Sequence, residues 1–271
     1  AQSNILYELV SAQRIDGLVI WSAGLPLFVD RSEMNAFCQR FRPLPMVTAG
    51  VPIEGIPGVS VDNYRGMRAV VSHLVEVHGR ARIAFIRGPE YHQEAEERYR
   101  AYLDVLSDHG IPFDPGLVAH GNFKESGGAA AAEQLLAGRQ DGFGALVAAS
   151  DNMAIGALRV LQAHGVRIPG DVALAGLNDE SQSPFVSPPL TTGPLHFYEQ
   201  ARRATEMLLA LLAGTPVTGQ VILPTQLLIR QSCGCPDPLV VQAAADAGTT
   251  SAGSWVAVLA DRREPIIAEM M

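Results

Sequence analysis

The chain has 271 residues, of which 48% are hydrophobic and 18% charged, and its 28 acidic against 20 basic side chains give a formal charge of −8. That length builds one large domain or two of ordinary size. The acidity argues against a surface that grips phosphate backbones, which would repel it before contact. Cys38, Cys233 and Cys235 are too few for a disulfide scaffold, and the longest nearly apolar run, 18–29, is too short to span a bilayer.

Strands and helices alternate along the chain. Residues 4–13 space Ile5, Leu6, Leu9 and Val10 as on one helix face, and the continuous apolar run 18–21 reads as a strand buried on both faces. A helix is predicted over 32–41, a strand over 45–49, a short strand over 59–61 and a helix over 64–78 ending at Gly79. Further strands are predicted at 83–86, 117–120, 145–148 and 172–175, interleaved with helices at 94–109, 126–136 and 153–164. Strands separated by helices of this length imply right-handed crossovers and parallel sheets, and the number of crossovers calls for two sheets. The Pro-, Ser- and Thr-rich stretch 184–194 interrupts the pattern. A helix over 198–213 and a long extended segment over 221–230 follow. From Pro236 the sequence reads as a small-residue linker that turns apolar around 255–259.

The chemistry-bearing motifs are sparse. There is no Gly-rich dinucleotide or phosphate loop, no paired-His zinc helix and no nucleophile elbow, so no catalytic residue is assigned and an enzyme is not expected. Cys233 and Cys235 offer two thiolates, but a structural zinc site needs about four ligands and none is expected to cluster nearby. The pair therefore reads as structural or incidental, with no metal or cofactor expected. His73, His78, His109 and His164 fall on or near predicted helix ends, where the helix dipole or solvent accounts for them.

What remains is polar residues at the carboxyl ends of predicted strands, where open parallel sheets bind ligands. Asp62-Asn63, Ser150-Asp151 and Asn178-Asp179 occupy three such ends. Each pair is also a natural helix N-cap. Phe123 follows a strand and would stack on a sugar or base ring if it faced the crevice. Arg98, a cation near a predicted helix start, opposes the dipole and fits a bidentate clamp on a hydroxylated or anionic group.

The strings VSVDNYRG (59–66), HLVEVHGRARIAFIRGP (73–89), ERYRAYLDVL (97–106), ASDNMAIGALRVLQAHGVRIPGDVALAGLND (149–179), PPLTTG (188–193) and ILPTQLLIRQSCG (222–234) resemble, in order and spacing, the effector-binding domain of the LacI/GalR family. The resemblance implies an α/β fold of two Rossmann-like subdomains with parallel sheets, in the type I periplasmic-binding-protein architecture. It places 1–79 with 191–217 in the first subdomain, 80–190 with 218–235 in the second, and 236–271 in a tail. It also implies that the first subdomain lacks a strand–helix–strand unit at its start.

Position by position, Arg98 matches the family's clamping arginine and Phe123 its stacking aromatic. Ser150 stands where Asn is common, with Asp151 beside it. Asn178 stands where many members have Asp, and Asp62 matches the DN motif. These six are the ligand-binding candidates. The implied function is a cytoplasmic, sugar-like or nucleoside-like effector sensor of a LacI-type transcriptional regulator. It would be homodimeric, with the helices at 67–78 and 198–213 as candidate contact surfaces that read equally well as core-facing helices, off the membrane, and would meet DNA only through a segment outside this chain. The SCGC string and tail also resemble hybrid sensors with a downstream output domain, and a secreted solute-binding protein shares the same fold.

Overall fold

The computed structural model describes residues 10–11, 13–27, 31–138 and 142–236. Residues up to Gly234 form one compact unit; a second unit begins at Cys235, and only its first two residues are described. The helix expected over 4–13 and the tail beyond Pro236 thus lie almost wholly outside the described residues.

Two parallel four-stranded sheets organise the compact unit. The first has the order β1-β2-β3-β8, from β1 (Leu18–Trp21), β2 (Met46–Ala49), β3 (Gly58–Val61) and β8 (Gln220–Leu223). The second has the order β5-β4-β6-β7, from β4 (Ile83–Arg87), β5 (Val118–His120), β6 (Ala145–Ala148) and β7 (Ala173–Ala175). Helices α1 (Arg31–Gln39), α2 (Asn63–Glu76), α3 (Gln93–Asp108), α4 (Glu125–Ala137), α5 (Asp151–Ala163) and α6 (Phe197–Leu212) supply the crossovers that parallel neighbours require.

Alternation along β2 divides the first core. Met46 joins Met34, Cys38, Phe41 and Leu44 on the α1 side, whereas Val47 and Ala49 meet Val59 and Ala204, with Met207 and Leu208 of α6 against them. The second sheet is buried on both faces: Ile83, Ala84, Phe85, Ile86, Leu146 and Val147 are all essentially inaccessible. This explains the unbroken apolar runs of its central strands. On one side of it α4 and α5 pack backbone to backbone. A Cβ at Gly128 would lie 2.1 Å from the Met153 carbonyl oxygen, and one at Gly156 would lie 2.0 Å from that of Glu125. That approach fixes where α5 begins, and so where Ser150 and Asp151 sit.

Four expectations need correction. Among the described residues the strand at 18–21 is an edge strand paired with β2 alone, and it is not buried on both faces, because Val19 (41% exposed) and Trp21 (45%) stay accessible. The extended segment at 221–230 is a strand only over Gln220–Leu223. There its backbone continues the first sheet by pairing Val59 with Val221 and Val61 with Leu223. Residues 218–223 therefore go with the first subdomain, because β3 offered a free edge, and the return to the second begins after β8. There Leu228 bridges Thr192, and Ser232 donates to the Leu174 carbonyl at 2.6 Å. Thr191 likewise bridges Ala175 and Pro194 bridges Asn178, so residues 191–194 go with the second subdomain and the crossing into α6 follows them.

The subdomains are joined side by side through α2 and α3. The Tyr64 hydroxyl donates to Asp104 at 2.7 Å, Arg68 donates to Asp108 at 2.6 Å, and the Arg100 guanidinium lies 5.0 Å from the Tyr64 ring centroid. No described helix is long and apolar enough to cross a membrane.

Candidate functional site

The carboxyl ends of both sheets face one cleft, and Arg98 lies at its centre. It sits in the second turn of α3 and is only 2% exposed. Its Nε donates to Asn63 Oδ1 at 2.8 Å, and its Nη1 donates to the Ala149 carbonyl at 2.5 Å and to Asn178 Oδ1 at 3.1 Å. These partners stand just past β3, β6 and β7, so one guanidinium ties together the ends of three strands from both sheets. Burial lowers its pKa, while Glu94, Asp151 and Glu97 oppose that effect. A guanidinium stays charged across ordinary pH. Glu94 Oε2 lies 3.6 Å from Arg98 Nη2, one helical turn away.

Phe123 comes off β5 with φ +61°, a left-handed conformation that aims its ring back into the cleft. The ring centroid is 5.6 Å from the Arg98 guanidinium carbon, and His92 meets the same ring edge-on at 5.0 Å. The His92 Nε2 reaches across the cleft to the Ala23 carbonyl at 3.0 Å. Burial lowers the His92 pKa, and its buried Nδ1 has no hydrogen-bond partner among the described residues. Trp21 and Phe197, edge to face at 5.5 Å, close the opposite lip.

These residues enclose a cavity of about 140 Å³ lined by Trp21, His92, Glu94, Arg98, Phe123 and Asn178, among others. A second cavity of about 260 Å³ adjoins it at Glu94, with Asp62, Asn63, Gln93 and Glu97 in its wall. Singly both fall below the roughly 300–1,000 Å³ usual for small-molecule sites, and together they enter that range.

Of the six candidates, the structure brings Arg98, Phe123 and Asn178 together. The other three are spoken for locally. Ser150 N-caps α5, its hydroxyl accepting from Met153 N at 3.5 Å. Asp62 N-caps α2, accepting from Arg65 N at 2.9 Å, and lies in the wall of the second cavity. Asp151 is fully buried away from the cleft. Its carboxylate accepts from Ser183 Oγ at 2.5 Å, Thr192 Oγ1 at 2.6 Å and Glu180 N at 3.1 Å, pinning the start of α5 to the 179–192 loop. Burial nonetheless raises its pKa to about 6.

Asn63, Glu94, His92, Trp21 and Phe197 were not among the candidates. Asn63 was within reach of sequence reasoning, as the partner of Asp62 in one strand-end pair. The cap takes the first residue of that pair and leaves the second for Arg98. The aromatics carried no local signal, because they come from distant elements.

A second group of side chains lies apart from the cleft. His73, His78 and Cys233 bring their ligating atoms within 4.8 Å of one another, and Cys235 belongs to the same group. The expectation that nothing clusters near the two cysteines is therefore corrected: the histidines are more than 150 positions away in sequence and adjacent in space.

Comparison with known proteins agrees with this architecture. A family profile described as a periplasmic binding protein-like domain matches residues 71–233. The chain is 33% identical over 228 residues to the transcriptional regulator CelR of Thermobifida fusca, covering 82% of this chain and 65% of CelR. It is 31% identical over 232 residues to the repressor CytR of Escherichia coli, covering 85% and 66%. It thus spans just under two thirds of these relatives' length. Among solved structures it superposes on a CelR–cellobiose complex with a TM-score of 0.74 at 32% identity, over 84% of this chain and 69% of that one. A LacI-family regulator from Mycobacterium smegmatis gives 0.74 at 30%, over 84% and 82%. The relatives named are transcriptional regulators.

Proposed function

The chain belongs to the periplasmic binding protein-like family as an effector-binding domain of the LacI/GalR type, and from that premise we propose that it senses a small polyhydroxylated molecule, a sugar in the first instance, in the cleft around Arg98. The observation that carries this reading is the convergence of Arg98, Asn63 and Asn178 from three strand ends beside the Phe123 ring. Amide and guanidinium groups supply donors and acceptors for hydroxyls, and an aromatic face takes the apolar side of a sugar ring. Glu94 adds an acceptor, and the His92 Nδ1, which has no partner among the described residues, marks a polar atom that a ligand hydroxyl would satisfy. A ligand touching both halves favours a closed arrangement and shifts the population of the whole domain.

On this reading the domain is the effector-binding part of a cytoplasmic, homodimeric transcriptional regulator whose DNA contact is made by another segment. Isothermal titration with cellobiose, monosaccharides and nucleosides tests the sensing step. One chemical class should bind and Arg98→Ala should abolish that binding; uniform silence of the unaltered chain would overturn the proposal. Light scattering and operator binding by the full-length gene product test the dimer and the output.

A further inference from the structure

We propose that His73, His78, Cys233 and Cys235 form a structural zinc site at the end of α2 remote from the cleft. α2 begins at the cleft with Asn63 and runs for 14 residues, so its far end is roughly 20 Å from Arg98 at 1.5 Å per residue. His73 occupies the last turn of α2, and His78 lies just past its end. That placement sets both rings at the carbonyl end of the helix, which favours a cation.

The two imidazoles approach edge-on, with planes at 79° and centroids 4.9 Å apart, and their Nε2 atoms are 3.3 Å apart. A tetrahedral ion with metal–nitrogen bonds of about 2.0–2.1 Å has its nitrogens about 3.3–3.4 Å apart. Both nitrogens thus stand where such an ion needs them. Cys233 closes a turn of 3-10 helix, Gln231–Cys233, and is completely buried. Gly234 then takes φ +109°, and a Cβ there would come within 3.3 Å of the His78 ring. Glycine at this position lets the turn lie against the imidazole and brings the second thiol to the same group.

Two thiolates and two imidazoles make a closed, soft ligand set. It suits zinc and excludes magnesium and calcium, and it leaves no open position for catalysis. The site also has a mechanical consequence. α2 leads out of the first subdomain into β4, while Ser232 holds the return segment on the Pro189 and Leu174 carbonyls beside β7. An ion shared between them staples two of the chain's crossings at a point independent of the effector. Zinc would therefore stabilise the domain without being displaced by ligand.

The full chain, purified under reducing conditions without chelator, should carry one zinc per molecule. After exchange it should give the thiolate-to-cobalt charge-transfer and tetrahedral d–d absorption of a two-sulfur, two-nitrogen site. Cys235→Ser and His78→Asn should each weaken zinc binding by more than roughly 100-fold, beyond the loss that outer-shell changes cause, while Arg98→Ala keeps its full zinc content. A chain that holds no metal, gives no cobalt spectrum on titration and does not change its melting temperature with zinc would overturn the site. So would a stable Cys233–Cys235 disulfide in the reduced preparation. If the variants fail to fold, the cobalt spectrum of the unaltered chain decides alone.

Discussion

Arg98 Nη1 donates to Asn178 Oδ1 at 3.1 Å across the junction between α3 and the loop after β7, while its Nε holds Asn63 from the other sheet. The amide is oriented in turn, because Asn178 Nδ2 donates to Glu180 at 3.2 Å. An aspartate at this position would bring a further negative charge and no donor. Here an amide accepts from the arginine with its oxygen and keeps two N–H groups, so the site stays less anionic and gains a donor.

Replacing Arg98 therefore has two separable effects. Arg98→Ala leaves the Ala149 carbonyl and two amide oxygens without a donor in a buried place and should destabilise the domain by about 3 kcal/mol or more. Arg98→Lys keeps the charge without the planar fork. It should fold more nearly normally yet bind the effector at least about 10-fold more weakly, the loss of one charge-assisted hydrogen bond. Denaturant unfolding and calorimetric titration separate the two. Lysine binding as tightly as arginine would show that charge alone matters.

The fold was legible to the extent that it is local. The parallel α/β alternation, β6 at its stated bounds and the two-sheet organisation follow from apolar runs and helical spacing, which short-range sterics and burial impose. Arg98 and Phe123 were legible for a different reason: a cation near a helix start and an aromatic after a strand are both locally unfavourable or unexplained. The burial of β1 was misread because an apolar run carries no mark of being at a sheet edge. β8 was placed with the wrong subdomain because strand pairing depends on a free edge at β3, more than 150 residues earlier. The grouping of His73 and His78 with Cys233 was invisible for the same reason, since ligand spacing in sequence is informative only when one loop supplies the ligands.

Asp151 should make stability depend on pH. Its pKa is about 6 when folded against an ordinary 3.8, chiefly through burial, with Ser183, Thr192 and the Glu180 N–H opposing the rise. Between those values the folded chain holds a proton that the unfolded chain has released. Stability from this group is therefore fully present below about pH 4 and is lost as pH rises through about 6, a change of about 3 kcal/mol. Asp151→Asn keeps the shape, and the hydroxyls of Ser183 and Thr192 are able to rotate to its amide. The variant-minus-unaltered difference in unfolding free energy should grow in the variant's favour from pH 4 to pH 6.5. A flat difference would show that the hydrogen bonds hold the carboxylate ionised throughout.

The contact between α4 and α5 leaves no room for a methyl group. Gly128→Ala would press on the Met153 backbone and Gly156→Ala on that of Glu125, and neither backbone moves as a side-chain tip does. Each should destabilise by about 2–3 kcal/mol and lower the thermal midpoint by several degrees. Gly144→Ala meets nothing closer than 3.5 Å and should stay within about 0.5 kcal/mol of the unaltered chain. Equal midpoints for all three would mean that the helices are free to separate, and with them the placement of Ser150.

Phe123 distinguishes a stacking ring from mere bulk. It is half-buried between His92 and Arg98, so its removal opens the cleft more than it empties a core. Phe123→Ala should weaken effector binding about 10-fold, consistent with the 0.5–1.5 kcal/mol that aromatic geometry adds to area burial plus some lost contact. Phe123→Leu returns most of the apolar volume but no face for the guanidinium or for a sugar ring. If the ring face carries the interaction, Leu should bind little better than Ala. If Leu restores affinity, Phe123 serves only to fill space, and the orientation of the ligand falls to Arg98, Asn63 and Asn178 alone.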